Sequence, residues 1–145
     1  MKKIIISLIA VAFLLTGCGK RKLDINYDTV YNNLKTEYKD FEKIDKETIE
    51  GTYGVDLSKF ESYMVVMEED AAVSKMYAIF KYGSNKEDAL DEANYFVDQY
   101  KAAWDNGYFP SETALVKKGM TYEEDNYFIY VVNSDPDKVY DLITK

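Results

Sequence analysis

Lys75-Met76-Tyr77-Ala78-Ile79-Phe80-Lys81-Tyr82, followed at once by Ser84 to Trp104, decides the fold of this chain. Along the first stretch Met76, Ala78, Phe80 and Tyr82 share one face, and Lys75, Tyr77, Ile79 and Lys81 share the other, the two-residue period of a strand. After Gly83 the period changes. Leu90, Ala93, Phe96, Val97, Tyr100 and Trp104 form one apolar stripe at helical spacing. Ser84 and Glu87 have the spacing of a capping box, and the acids Glu87 and Asp88 favour the positive end of the helix dipole. Gly107 is the expected stop and Pro110 blocks continuation.

Working outward, Tyr63–Glu68 is rich in strand formers and is joined to Lys75–Tyr82 by the polar Glu68-Glu69-Asp70-Ala71-Ala72, which predicts an antiparallel hairpin. Val116–Tyr122 and Tyr127–Val132 predict a second hairpin around Glu123-Glu124-Asp125-Asn126, with a short helical turn through Glu112–Leu115 before it. Tyr127-Phe128-Ile129-Tyr130-Val131-Val132 is apolar on both faces, as expected of a central strand covered by helix on one side and partly screened on the other. Asn26 or Asp28 caps a first helix carrying Val30, Tyr31, Leu34 and Tyr38. Asp45 starts a second, which Gly54 ends in the left-handed conformation. Asp135-Pro136 starts the last, with Val139, Tyr140, Leu142 and Ile143 on its apolar face. The predicted class is α+β, in the order α-α-β-β-α-β-β-α: a four-stranded antiparallel sheet with helices packed mainly on one face. Leu90, Phe96, Val97, Ile129 and Val131 are its expected core.

The beginning of the chain has a different logic. Met1-Lys2-Lys3 precedes the apolar run Ile4–Leu15, interrupted only by Ser7, and then Thr16-Gly17-Cys18. As a helix this run would reach about 18 Å, short of a bilayer core of about 30 Å. A basic head, a short apolar body and a small-residue exit fit a secretory signal. The segment resembles the signal peptide and lipobox of bacterial lipoproteins. The resemblance implies diacylglyceryl transfer to the Cys18 sulfur, cleavage between Gly17 and Cys18, and acylation of the freed amine. Cys18 is the only cysteine in the chain, so no disulfide forms within it. The expected organisation is a signal peptide over 1–17, a lipidated cysteine and basic tether over 18–26, and one α+β domain over 27–145. Lys20-Arg21-Lys22 serves either as a cationic contact with anionic headgroups or as a solvated tether.

Removing residues 1–17 from the 145 leaves 128, with 16 basic and 26 acidic side chains. That acidity repels phosphate backbones, so nucleic acid is not expected as a partner. The chain has no histidine, which removes the usual neutral-pH base, the commonest metal ligand and the Ser-His-Asp and Cys-His arrangements. No G-x-G-x-x-G or G-x-x-x-x-G-K run is present, and neither a cofactor nor a metal is expected. The acidic runs Glu68-Glu69-Asp70 and Glu123-Glu124-Asp125, with Asp135 and Asp137, could hold calcium or act as an acid–base pair, but they lack the spacing of a calcium loop and read first as solvated turns.

Tyrosine is over-used, 14 residues against seven Phe and one Trp. Tyr77, Tyr82, Tyr127 and Tyr130 fall on the predicted strands. They either pack core edges or stand together as a recognition surface able to stack on sugars or grip a peptide. Trp104 is expected in the core.

The soluble part also resembles a family of small uncharacterised Gram-positive lipoproteins that carry a domain of unknown function. The residues concerned are Tyr53-Gly54-Val55-Asp56, Met76–Phe80, the helix Ala89–Tyr100, Tyr108-Phe109-Pro110, and Asn126–Val132 with Asp135-Pro136-Asp137. The resemblance implies an exported α+β domain and supplies no catalytic residues. The expected function is a lipid-anchored, non-enzymatic binding or accessory domain on the outer face of the cell membrane, with an envelope protein or glycan as partner. The alternative is a carboxylate-based envelope glycan hydrolase, which needs two acids across one cleft.

Overall fold

The computed structural model describes residues 22–145. Residues 1–21, with Gly17, Cys18 and the proposed signal, lie outside the described part. The elements are α1 (Tyr27–Glu37), β1 (Phe41–Lys43), α2 (Lys46–Tyr53), β2 (Phe60–Glu68), β3 (Met76–Tyr82), α3 (Lys86–Trp104), α4 (Pro110–Lys117), β4 (Met120–Glu124), β5 (Tyr127–Val132) and α5 (Pro136–Thr144), with one 3-10 turn at Leu57–Lys59. Among the described residues no helix is long and apolar enough to cross a membrane.

Local chemistry explains most boundaries. The Asn26 and Asp45 side chains accept from the Thr29 and Thr48 amides and start α1 and α2. Gly54 ends α2 at φ 68° as its position predicts. Asp135 accepts from the Lys138 amide with Pro136 in the first turn of α5. At α3 the cap is Asn85, bonding the Asp88 amide at 3.3 Å, and not the predicted Ser84–Glu87 box. The helix starts later because the Gly83 amide is already bonded to the Lys59 carbonyl at 3.1 Å, which holds the chain extended past the end of β3.

Five strands form one antiparallel sheet in the order β1-β2-β3-β5-β4. Both predicted hairpins are present, joined by the pairing of β3 with β5. The four-strand expectation is corrected by β1, a three-residue edge strand paired with Val66–Glu68. Phe41-Glu42-Lys43 is too short to show a period, and only its place beside β2 makes it a strand. The second hairpin also starts later than predicted. Val116 is a core residue of α4, and β4 begins at Met120.

The expectation of helices mainly on one face is corrected too. α2, α3 and α4 cover one face through a core that includes Ile49, Phe80, Phe96, Val116 and Phe128. α1 and α5 cover the other through Val30, Leu34, Ile79, Ile129 and Val139. The reason is the composition of β3 and β5, whose side chains are apolar on both faces and need cover on each. Of the expected core, Phe96, Val97, Ile129 and Val131 are buried, while Leu90 is only half-buried and Ala89 takes the interior position beside it.

Two ties close the ends of the sheet. At one, Ser74 is fully buried, and its amide and hydroxyl both donate to Glu112 Oε2 at 2.7 Å, while the Tyr100 hydroxyl donates to the Ser74 carbonyl at 2.7 Å. This pins the β2–β3 connection to α3 and α4. At the other, Gly83 lies so close to β2 that an added Cβ would stand 2.5 Å from the Lys59 carbonyl oxygen. We therefore expect Gly83→Ala to lower stability by about 1–3 kcal/mol through backbone crowding. Glu112→Ala is expected to cost about 1–3 kcal/mol by leaving the buried Ser74 amide unpaired and its hydroxyl with only the long bond to the Glu112 carbonyl. Urea unfolding of each variant checks both, and an unchanged midpoint would contradict the corresponding tie.

Candidate functional site

The four strand tyrosines do not form a recognition surface. Tyr77, Tyr82, Tyr127 and Tyr130 are all buried. Tyr77 and Tyr127 lie in the α1/α5 core, Tyr82 and Tyr130 in the α2–α4 core, so the sheet separates them. This corrects the surface expectation, for the same reason that places helices on both faces. The Tyr82 hydroxyl donates to Glu123 at 3.3 Å, and the Tyr127 hydroxyl accepts from the Ile25 amide at 3.2 Å. The hydroxyls of Tyr77 and Tyr130 are buried without a partner, and burial pushes both phenols well above their ordinary range.

Most carboxylates of the acidic runs hold local structure. Asp70 accepts from the Ala72 amide at 2.9 Å in the β2–β3 turn. Asp125, at φ 52° in the β4–β5 turn, accepts from the Leu23 amide at 2.5 Å and holds the start of the described chain to the hairpin tip. Asp135 caps α5. Asp137 and Glu124 accept from the hydroxyls of Tyr122 and Tyr140, whose rings stack at 4.1 Å. Burial and then the Glu124 bond raise the Tyr140 phenol to about 12. Among the described residues no group of three or more Asp, Glu, His or Cys is placed to hold a metal ion. Asp70, Glu123, Glu124, Asp125, Asp135 and Asp137 thus each accept from a neighbouring amide or hydroxyl, spread over the β2–β3 turn, the β4–β5 turn and the start of α5.

The structure instead brings aromatic side chains to the surface where α3 ends. Trp104 is half-buried against the α2–α4 core, with its ring 6.4 Å from Tyr100 and 6.1 Å from Phe109. Gly107 turns the chain at φ 76°, and the Asn106 side chain accepts from the Tyr108 amide at 3.0 Å. Tyr108 is left 82% exposed and Phe109 40% exposed. The Thr113 hydroxyl donates to the Trp104 carbonyl at 2.6 Å and locks α4 beneath them. Beside this corner Asp105, Gly107, Pro110, Thr113, Ala114 and Lys117 line a shallow groove of about 300 Å³, bridged by a 3.4 Å ion pair between Asp105 and Lys117. An exposed ring on a braced turn loses little freedom when it meets a sugar face or an apolar side chain, which suits it to recognition. Sequence reasoning gave Tyr108-Phe109-Pro110 no role in binding. The available signal was an adjacent Tyr and Phe between Gly107 and Pro110, large apolar groups in a turn that offers them no period to bury.

The corner lies on the α3/α4 side of the sheet, at the end marked by Met76 and Val132. Ile25 belongs to the opposite core, and the chain enters there at the other end, beside Asp125 and Tyr127. A second opening, of about 440 Å³, lies where β1 stops and the outer edge of β2 is uncovered, between Tyr27 and Asp28 on one side and Lys43, Ile44 and Tyr63 on the other.

No curated protein and no solved structure matches the chain. Residues 34–133 match a family described as a domain of unknown function, DUF4358, a span that runs from α1 to the end of β5. On that match the chain belongs to the DUF4358 family.

Proposed function

We propose that this protein is a lipid-anchored domain on the outer face of the cell membrane, held by acyl chains on Cys18, and that it binds an envelope protein or glycan without doing chemistry of its own. One observation carries the anchor: the sole cysteine follows Gly17 at the end of a short apolar run with a lysine-rich head. A thiol in that position is a good nucleophile for a stable thioether, and two or more chains give lasting membrane residence where one gives only marginal binding.

The braced aromatic corner supports the binding role. Tyr108 and Phe109 stand on the side of the sheet opposite Leu23 and Ile25, so a domain held through its N-terminal segment presents them outward. The acidity of the domain suits a partner that is neutral or cationic at the contact.

Two measurements test the reading. Cys18→Ala is expected to abolish fatty-acid labelling of the protein in growing cells and to move it from the membrane to the soluble fraction. Undiminished labelling would remove the anchor. Tyr108→Ala is expected to leave thermal stability nearly unchanged, because the ring is exposed, while lowering retention on lipid-extracted envelopes about tenfold. Equal retention would remove the corner as the binding surface.

A further inference from the structure

β4 is the last strand of the sheet and its most exposed one, with only Tyr122 half-buried. The direction of its free hydrogen-bonding groups follows from one bond. The Tyr82 amide donates to the Asn126 carbonyl at 2.8 Å, so Asn126 turns its backbone toward β3. Backbone direction alternates along a strand, so Tyr127, Ile129 and Val131 turn toward β4, where they face Glu124, Tyr122 and Met120. Thr121 and Glu123 therefore turn their N–H and C=O groups away from the sheet, into solvent. Unpaired edges of this kind are templates for another strand.

The side chains along this edge are arranged to match a second copy of themselves. Lys118, just before the strand, pairs with no carboxylate among the described residues. At the other end Glu123, Glu124 and Asp125 bond hydroxyl or amide groups and no cation. Met120, in between, is 40% exposed. Antiparallel pairing about Glu123 would oppose that carboxylate with itself. Pairing about Tyr122 would set Glu124 against Met120. Pairing about Thr121 sets Lys118 against Glu124, Met120 against the Tyr122 ring and Glu123 against Gly119, with no like charges opposed.

We propose that β4 pairs with β4 of a second copy, antiparallel and centred on Thr121, so that two five-stranded sheets join into one. The Thr121 residues of the two copies exchange backbone hydrogen bonds, and each Glu123 amide donates to the Gly119 carbonyl of the other copy. Such copies are related by a two-fold axis through the sheet, which keeps α1, α5 and the adjoining Ile25 of both on one side. The two N-terminal segments then leave from the same side, and both aromatic corners lie on the other.

The chain from Lys22 to Lys145 contains every described element and both cores and has no cysteine, so the test is independent of lipid on Cys18. Sedimentation equilibrium is expected to give a dimer. Lys118→Glu and Glu124→Lys, both at exposed positions, are each expected to weaken it about tenfold, and the double exchange to restore it. Thr121→Cys is expected to form a disulfide-linked dimer under mild oxidation, because residues facing each other in such a pair lie about 5.5 Å apart at Cα, within disulfide reach. Glu123→Cys, facing Gly119, is expected not to. A protein that stays monomeric at about 100 μM, single charge variants that associate as tightly as the parent, or a Glu123→Cys protein that cross-links as fast as Thr121→Cys would each overturn the proposal.

Discussion

Everything in this fold answers to the burial of β3 and β5 on both faces. Tyr77, Ile79, Ile129 and Val131 project to one side, Ala78, Phe80, Phe128 and Tyr130 to the other, and all are buried. Each large side chain so placed contributes about 1.5–3 kcal/mol relative to exposure. That gain requires a helical layer on each side. The chain supplies one from its terminal helices α1 and α5 and the other from α2, α3 and α4. On the second side the rings interlock. Phe80 stacks on Phe60 at 4.5 Å and meets Phe96 edge-on at 5.3 Å, and Phe96 meets Tyr53 at 5.2 Å, so β2, β3, α3 and α2 share one aromatic cluster. The cost appears at Tyr77 and Tyr130, whose hydroxyls are carried into the interior without a partner.

A sheet covered on both faces offers other molecules no face of its own, only its edges. β1 covers part of one edge and then stops, and β4 leaves the other edge open. The polar groups that looked most like chemistry in the sequence are taken up in holding these margins. Asp125 ties down Leu23, and Glu124 and Asp137 hold the stacked pair of Tyr122 and Tyr140, while Glu112, an acid with no candidate role in the sequence, ties down Ser74. Two exposed rings, Tyr108 and Phe109, stand elsewhere, on the braced turn between α3 and α4. An adjacent Tyr and Phe there stay exposed where the strand tyrosines are buried, because the turn gives them no interior to enter.

Legibility varied with the physical range of each signal. The caps at Asp45 and Asp135 and the stop at Gly54 were readable, and the first cap was narrowed to Asn26 or Asp28, because each is a bond or a conformation within a few residues. The hairpins and α3 were readable because runs of strand-forming residues and the helical stripe extend over five or more residues. The Ser84–Glu87 box failed, although its spacing is right, because a long-range bond from Gly83 to Lys59 moved the helix start to Asn85. β1 was invisible because three residues carry no period, and a strand so short exists only where a neighbour offers its edge. The aromatic corner was missed because exposure of a ring is a property of what fails to pack against it.

The amino-acid order alone therefore determined the α+β class, the two hairpins, most helix limits and the single cysteine behind a short apolar run, since all of these rest on local bonding and local periodicity. Tertiary structure alone decided that both sheet faces are covered, that the strand tyrosines face inward, that Phe41–Lys43 is a strand, and which edge stays open. Those outcomes depend on which surfaces meet across long stretches of chain, and contacts of that kind leave no pattern in neighbouring residues.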